Sequence, residues 1–397
     1  MSAESRTPYF GPGPSALPES VLIEATHGLL NFNGTGIGIA EISHRSKEFG
    51  VYLKETSQLI REQLNVPTTH EILFVQGGGH GQFSAVVLNL VARHRLRHPN
   101  LPESERRLDY VLTGSWSRAA LDEAKRLANG ATVHIAADAR VHSVDGMSFD
   151  NIPPHASYSF SQSPAFVYYC ENETVSGTQF APVEGTPHSF PFHLVPKDTP
   201  LVADYSSSFM SRPIPRLEDH AVIYAGAQKN LGPAGLTIVI VRKDCLVDVN
   251  AAANLGGAPI PITMSYKWYA DGESCPNTPP VFSIYVTGLV LKRNKALGGV
   301  SYYEQFNRRK QEKVYQVLRE GEAKRVLKAK VREGGHSWMN VTFGVLGEGA
   351  EARFLAGAEN RGMKGLKGHR WVSSFHHEIL ANLMLVSLAL LEVCICT

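Results

Sequence analysis

Short apolar runs alternate with longer amphipathic stretches along most of the chain. The runs "EILFVQG" (71–77) and "YVLTG" (110–114) precede "GQFSAVVLNLVARHRLR" and "SRAALDEAKRLANG", which have helical periodicity. Strand-like runs followed by helix-like stretches are typical of parallel α/β architecture. Near-continuous apolarity also predicts strands that are covered on both faces. Further runs rich in Val, Ile and Tyr are "AFVYYC" (165–170), "LVADY" (201–205), "VIYAG" (222–226) and "TIVIVR" (237–242).

The same pattern predicts three parts of the chain. The stretch "MSAESRTPYFGPGPSALP" is rich in Pro and Gly, which favours an extended N-terminal arm over residues 1–16. A long helical stretch follows "NTPPVFSIYV" (277–286), and "WMNVTFGVL" (338–346) predicts a strand of a second unit. We therefore expect a large domain over residues 17–286 and a smaller C-terminal domain over residues 287–397.

Composition and charge narrow the class of ligand. The 397 residues are 43% hydrophobic and 19% charged, as in a globular protein of two domains. With 39 Lys and Arg against 37 Asp and Glu, the net charge of +2 gives no general attraction to nucleic acid or to a membrane surface. The sequence therefore favours a small-molecule ligand.

The cysteines indicate the compartment. They are odd in number and lack the C-x-x-C spacing of metal sites, which favours a reduced, cytoplasmic location and no bound metal. The N-terminal stretch lacks the apolar core of a secretory signal. The cysteines are Cys170, Cys245, Cys275, Cys394 and Cys396.

Chemically useful groups follow four of the predicted strands. The turn "GGGHGQF" (77–83) leads into a helix, whose first N–H groups suit a phosphate, but it matches neither the Walker nor the G-x-G-x-x-G pattern. Trp116 follows "YVLTG", Asp204 ends "LVAD", and Lys229 follows "VIYAGAQ". In a parallel sheet, residues at the carboxyl ends of strands meet at one site.

A phosphate cradle, an aromatic plate, a carboxylate and a lysine are what pyridoxal phosphate requires. Each of these features alone has a simpler explanation: a tight turn, a packed indole, a helix cap and a solvated loop lysine. Their shared position at strand ends is what favours the cofactor.

Five motifs resemble the phosphoserine aminotransferases, a family of fold-type I, class-V enzymes that depend on pyridoxal phosphate. The similarity runs from residue 10 to about Arg370. It implies an α/β fold with a large, mainly parallel-sheet cofactor domain and a smaller α+β C-terminal domain. The motifs are "YAGAQKNLGPAG", "VADYSSSFMSRP", "GGGHGQFSAVVLNL", "YYCENETVSG" and "NTPPVFSIYV".

The resemblance also implies roles for individual residues. Lys229 matches the Schiff-base lysine that carries a proton between the substrate Cα and the cofactor C4′. Asp204 matches the partner of the pyridine nitrogen, and Trp116 matches the stacking residue. The remaining cofactor contacts are Gly79, His80 and Gln228 at the phosphate, Thr174 near the phenolic oxygen, and Asn277 and Thr278 at the phosphate of the neighbouring subunit's cofactor. Family members are therefore expected to be homodimers with shared sites.

The implied reaction transfers the amino group of glutamate to 3-phosphohydroxypyruvate by a ping-pong route, giving O-phospho-L-serine and 2-oxoglutarate in serine biosynthesis. Such substrates carry a phosphate and a carboxylate, which suit arginine forks and imidazolium. Although a His-Arg pair is usually a solvated surface feature, two such pairs match the substrate-binding positions of the family. They are His44 with Arg45, and His369 with Arg370.

The resemblance weakens from about residue 371. His376 lies where the family has an arginine that grips a substrate carboxylate, and imidazole cannot make the same two-pronged contact. The tail from residue 379 to 397 is mostly apolar but too short and too weakly flanked by basic residues to favour a membrane anchor.

Two alternatives to an active enzyme of this type remain open. The chain could bind the cofactor as an impaired or truncated form without turnover. It could also be another fold-type I enzyme, such as a serine-glyoxylate aminotransferase or a cysteine desulfurase. A desulfurase would require a catalytic cysteine, and Cys275 is the cysteine next to a site motif.

Overall fold

The computed structural model describes residues 6–367 and the backbone of residues 379–382. A seven-stranded sheet with the order β1-β7-β6-β5-β4-β2-β3 forms the centre of the molecule. Its strands are β1 (His70–Val75), β2 (Arg107–Leu112), β3 (Thr132–Asp138), β4 (Phe166–Cys170), β5 (Leu201–Asp204), β6 (His220–Gly226) and β7 (Thr237–Arg242).

Six of the seven strands point in the same direction. Strands β2 to β6 pair in parallel with one another, whereas β7 is antiparallel to both β6 and β1. Strand β1 therefore runs the same way as β6. This arrangement confirms the predicted large, mainly parallel sheet.

Alternate residues along most of the strands pack into two cores on opposite faces of the sheet. In β1, Ile72 and Phe74 share a core with side chains of the helices α1 (Glu19–Leu30), α2 (Lys47–Leu64) and α7 (Val281–Ala296). Leu73 and Val75 share the other core with α3 (Gly78–Arg97) and α4 (Ser115–Leu127). Because helices cover both faces, the central strands β4 to β7 are apolar at nearly every position.

A second, smaller sheet lies in the C-terminal part of the described chain. Its antiparallel strands, in the order β10-β9-β8, are β8 (Leu327–Ala329), β9 (Asn340–Val345) and β10 (Ile379–Asn382). A separate apolar core joins this sheet to Phe10 of the N-terminal arm. The remaining helices are α5 (Val249–Asn254), α6 (Tyr266–Asp271), α8 (Gly299–Ala323) and α9 (Ala350–Asn360).

The boundary predicted near residue 287 lies inside α7. The buried residues Ile284 and Leu291, on either side of that position, belong to the same core of the large sheet. The division into an arm, a large domain and a small domain at residues 16 and 286 stays a prediction.

No helix within residues 6–367 is long and apolar enough to cross a membrane. The C-terminal tail, apart from the backbone of β10, lies outside the described residues.

Candidate active site

The candidate site lies at the carboxyl edge of the large sheet. Five strands end at this edge: β1, β2, β4, β5 and β6. The residues that follow them are far apart in the sequence but lie close together in the fold. The predicted residues at these strand ends are Gly79, Trp116, Thr174, Asp204 and Lys229.

Lys229 lies in the turn that follows β6, and its side chain is only 8% exposed. Its ammonium nitrogen, Nζ, donates a hydrogen bond to the carbonyl oxygen of Pro12 at 2.5 Å. The hydroxyl of Ser15 donates to the Lys229 carbonyl, and the Ser15 N–H donates to the carbonyl of Gln228 at 3.0 Å. The N-terminal arm therefore contacts the lysine through its side chain and its backbone.

Burial lowers the pKa of Lys229 to about 8, because an ammonium group is poorly solvated there, while Asp204 and Cys170 act in the opposite direction. Burial raises the pKa of Asp204, and the Ser206 N–H, which bonds its Oδ1 at 2.8 Å, and Lys229 both oppose this shift. Asp204 ends β5 opposite Cys170 of β4. The site therefore combines an amine that loses its proton easily with a carboxyl that accepts one easily.

The turn after β1 and the start of α3 form a cradle that lacks side chains. Gly77 and Gly78 have φ angles of 104° and 63°, which bring the chain into the helix through a sharp turn. A Cβ atom placed on Gly78 or Gly79 would meet no heavy atom within 4 Å. The first turn of a helix leaves N–H groups without partners in the helix, so this open space suits a phosphate.

Trp116 lies in the first turn of α4, and its ring contacts the ring of His80 edge to face at a centroid distance of 5.6 Å. Thr174 is buried just after β4. The neighbouring Glu173 accepts hydrogen bonds from the N–H groups of Trp116 and Ser117, both at 2.7 Å. Sequence reasoning missed Glu173, because nothing in "ENETVSG" indicates a contact with a helix that begins 58 residues earlier.

Gln228, Asn277 and Thr278 lie nearer the surface. Gln228 is half-buried beside Lys229. The carbonyl of Thr278 accepts a hydrogen bond from the Gln76 side chain at 2.9 Å, which places this loop beside the end of β1. Asn277 is half-buried and Thr278 is exposed.

One of the two predicted His-Arg pairs lies within the described residues. His44 and Arg45 form the turn before α2, where the Nε2 atom of His44 is buried without a hydrogen-bond partner and Arg45 is exposed. Burial raises the pKa of the nearby Cys275 thiol, and the charge of Arg45 partly opposes this shift. His369, Arg370 and His376 lie outside the described residues.

The residues present fit pyridoxal phosphate. The glycine cradle leaves room at a helix N-terminus, Lys229 is buried with a lowered pKa, and Asp204 supplies a buried carboxyl. Cys170 is buried and burial raises its pKa well above the usual range, so it is not an activated nucleophile. Across the part of the chain that the structure describes, no group of His, Cys, Asp and Glu side chains could hold a metal ion.

The fold and this site define an aminotransferase of fold type I. The family model for aminotransferase class-V matches residues 9–390, which extends past residue 370, where the resemblance seen in the sequence weakens, and the chain belongs to this family.

Particular relatives are phosphoserine aminotransferases. A probable phosphoserine aminotransferase of Caenorhabditis elegans is 40% identical over 376 residues, covering 94% of this chain and 91% of the relative. A solved phosphoserine aminotransferase, described for radiation damage of its Schiff base, has a TM-score of 0.83 at 34% identity and covers 99% of this chain and 98% of its own. The structure of the Trichomonas vaginalis enzyme bound to pyridoxal phosphate has a TM-score of 0.81 at 30% identity, covering 99% of this chain and all of its own.

Proposed function

We propose that this chain transfers the amino group of glutamate to 3-phosphohydroxypyruvate, giving O-phospho-L-serine and 2-oxoglutarate in serine biosynthesis, with pyridoxal phosphate as its cofactor. The observation that carries the proposal is the buried Lys229 beside Asp204 at the carboxyl edge of the sheet. The names of the relatives, which match nearly the whole chain, support the choice of substrate.

The cofactor would be held by residues from several strand ends. Lys229 would bind it covalently, Asp204 would share a proton with its ring nitrogen, and Trp116 would stack on the ring. Thr174 would donate a hydrogen bond near the phenolic oxygen. At the phosphate we place the N–H groups of Gly79 and His80 together with the side chain of Gln228, as well as Asn277 and Thr278 of a second subunit.

When bound, pyridoxal phosphate withdraws electrons from the substrate Cα, which makes the Cα proton acidic. Lys229 would accept that proton on Nζ and later return it. Its lowered pKa supports this role, because the neutral amine is present near pH 8. Burial also excludes water, which would otherwise compete for the proton.

Substrate anions would be bound by the two His-Arg pairs. The exposed guanidinium of Arg45 and the buried, unpartnered Nε2 of His44 offer donors at the start of α2. His369 and Arg370 would supply the second pair, with His376 replacing an arginine of the family pattern. Since glutamate and phosphoserine would use the same pocket in turn, we expect ping-pong kinetics.

We also propose that the chain forms a homodimer in the cytoplasm, with Asn277 and Thr278 completing the partner's site. Apolar side chains exposed on α1 and the following turn support an interface there: Ile23 is 53% exposed, Leu30 77% and Ile37 47%. The free thiols of Cys170, Cys245 and Cys275 support a reducing compartment.

The names of the relatives do not favour the alternative of a form that binds the cofactor without turnover. They also do not favour a different fold-type I enzyme. The inert environment of Cys170 and the raised pKa of Cys275, which is mainly an effect of burial, give no support to a desulfurase.

Replacing the lysine tests the function directly. Lys229→Ala should lower kcat for formation of phosphoserine by at least about 10³-fold, since it removes both the covalent link and the proton acceptor. The measurement is 2-oxoglutarate release from glutamate and 3-phosphohydroxypyruvate.

Lys243→Ala is a matched control, because Lys243 follows the neighbouring strand β7 but is half exposed in an ion pair with Glu71. It should keep kcat within about twofold, since exposed ion pairs contribute little. An equal loss in both variants, or no loss in Lys229→Ala, would contradict the assignment.

A further inference from the structure

The first turn of α4 is held by a carboxylate from a distant part of the chain. The first N–H groups of a helix have no partners within it, and Gly114, the residue before α4, has no side chain to accept them. Glu173 takes this role: its Oε2 accepts the N–H of Trp116 and its Oε1 accepts the N–H of Ser117, both at 2.7 Å. The two oxygens of the Glu173 carboxylate therefore each accept a hydrogen bond from one of two consecutive residues in the first turn of α4.

Gly114 provides the room for this contact. A Cβ atom placed on Gly114 would lie 2.4 Å from both Cγ and Cδ of Glu173, far inside van der Waals contact. The backbone of Gly114 is extended, with φ of −179°, so any residue could adopt it. The requirement for glycine is therefore one of space beside the carboxylate.

The carboxylate is fully buried, with 0% of Glu173 exposed. Burial raises its pKa to about 7, against the effect of the two N–H donors, and the nearby Asp204 raises it further. Burying a carboxylate destabilises the folded state unless hydrogen bonds replace its contacts with water. The N-terminus of α4 supplies two hydrogen bonds and a favourable helix dipole.

Glu173 also connects the parts of the cofactor site. Thr174, the next residue in the chain, lies just after β4. The ring of Trp116, whose N–H bonds Glu173, contacts the ring of His80 at the start of α3 with an interplanar angle of 82°. The carboxylate of Glu173 therefore bonds the backbone of Trp116, whose ring contacts His80 beside the phosphate cradle.

We propose that Glu173 is a positioning residue whose carboxylate fixes the first turn of α4 and thereby the plane of the Trp116 indole against the cofactor ring, with Gly114 leaving the space it needs. The proposal rests on the proposed function, since it requires that Trp116 stacks on pyridoxal phosphate.

The test measures cofactor binding and cofactor orientation in the purified protein. Glu173→Gln keeps the shape of the side chain but presents an NH₂ group to one of the two N–H donors. We expect the dissociation constant for pyridoxal phosphate to rise about tenfold, as for loss of a charged hydrogen bond, and the visible circular dichroism per bound cofactor to change. Glu173→Asp keeps the charge on a shorter side chain, so its cofactor affinity and its circular dichroism should both lie between those of Glu173→Gln and the wild-type protein.

Gly114→Ala gives an independent route to the same effect. Its Cβ should displace the carboxylate without removing it, so the dichroism should change in the same direction as in Glu173→Gln. This variant keeps the proposal testable if Glu173→Gln does not fold.

Glu171→Gln is the matched control. Glu171 is buried two residues away, but it bonds Arg212, Ser208 and Gln179 instead of α4. Its replacement should lower thermal stability and leave the dichroism per bound cofactor unchanged.

The outcomes separate this proposal from the proposed function. If the wild-type protein takes up pyridoxal phosphate but Glu173→Gln and Gly114→Ala keep the wild-type dissociation constant and dichroism, the positioning role is wrong and the proposed function stands. If Glu171→Gln produces the same dichroism change, the effect is general destabilisation and the positioning role is also wrong. If the wild-type protein does not bind the cofactor, both proposals fail.

Discussion

Among single residues, the proposed chemistry depends most on the burial of Lys229. An exposed lysine keeps its proton well above neutral pH, because its pKa is high. Burial lowers the pKa of Lys229 to about 8. The carboxylate of Asp204 has the opposite effect, since it favours the charged amine. The balance leaves an amine that can lose its proton near physiological pH.

This balance predicts the pH dependence of cofactor attachment. In the apoprotein, the rate at which pyridoxal phosphate attaches should rise with pH, because the neutral amine is the nucleophile, and should level off above about 8. Asp204→Asn removes the charge that raises the pKa of Lys229, so the pH at which the attachment rate stops rising should be lower in this variant. Stopped-flow absorbance at a series of pH values measures both. A rate that keeps rising to pH 10, as for an exposed lysine, would contradict the effect of burial.

The sequence could indicate Lys229 and Asp204, because each follows an apolar run whose strand direction can be inferred from the pattern. It could not indicate that Glu173 bonds the N–H of Trp116 or that the carbonyl of Pro12 accepts from Lys229, since these contacts join residues far apart in the chain. The pKa values likewise depend on burial, which is a property of the folded chain.

At the scale of elements, the segment after β4 joins the two sheets. Gly177 has a φ of 76°, and a Cβ atom there would lie 2.5 Å from the Thr342 hydroxyl of β9. The same hydroxyl donates to the carbonyl of Ser176 at 3.3 Å. The turn that follows Glu173 and Thr174 is therefore packed against the smaller sheet.

Gly177→Ala should destabilise the protein by at least about 2 kcal/mol, because it adds backbone strain and a steric clash. Gly146→Ala is the control: Gly146 has a similar φ of 71° but no heavy atom within 4 Å of an added Cβ. It should cost only about 1 kcal/mol from the backbone alone. Chemical denaturation of both variants measures the difference, and equal losses would show that the contact with Thr342 contributes nothing.

The hydrophobic pattern predicted β1, β2 and β4 to β7 because these strands are apolar at successive positions. It did not predict β3, where "TVHIAAD" mixes small and polar residues in a strand at the edge of the sheet. The "NTPPVFSIYV" motif contains the start of α7, so helical periodicity begins inside it. Edge strands and helix starts depend on partners that a local pattern does not contain.

At the scale of the whole molecule, the proposed dimer shares its sites between subunits. In that dimer, Lys229 and Asp204 of one subunit would form each site together with Asn277 and Thr278 of the other subunit. This division can be tested by mixing inactive variants.

We expect Lys229→Ala mixed with the double variant Asn277→Ala, Thr278→Ala to recover about a quarter of wild-type activity, since random exchange makes half of the dimers hybrid and each hybrid has one intact site. Lys229→Ala mixed with Asp204→Ala should recover none, because both changes damage the same subunit's part of the site. The measurement is specific activity after denaturation and joint refolding. Recovery in both mixtures, or in neither, would contradict the shared site.

We expect this chain to transfer amino groups to and from a phosphorylated substrate. The most direct test is the half-reaction in one cuvette: O-phospho-L-serine is added to the protein loaded with pyridoxal phosphate, and the visible band of the bound cofactor is followed. We predict rapid loss of that band with phosphoserine and slow or no loss with L-serine, which lacks the phosphate. A band that phosphoserine leaves unchanged, or equal rates for the two amino acids, would contradict it.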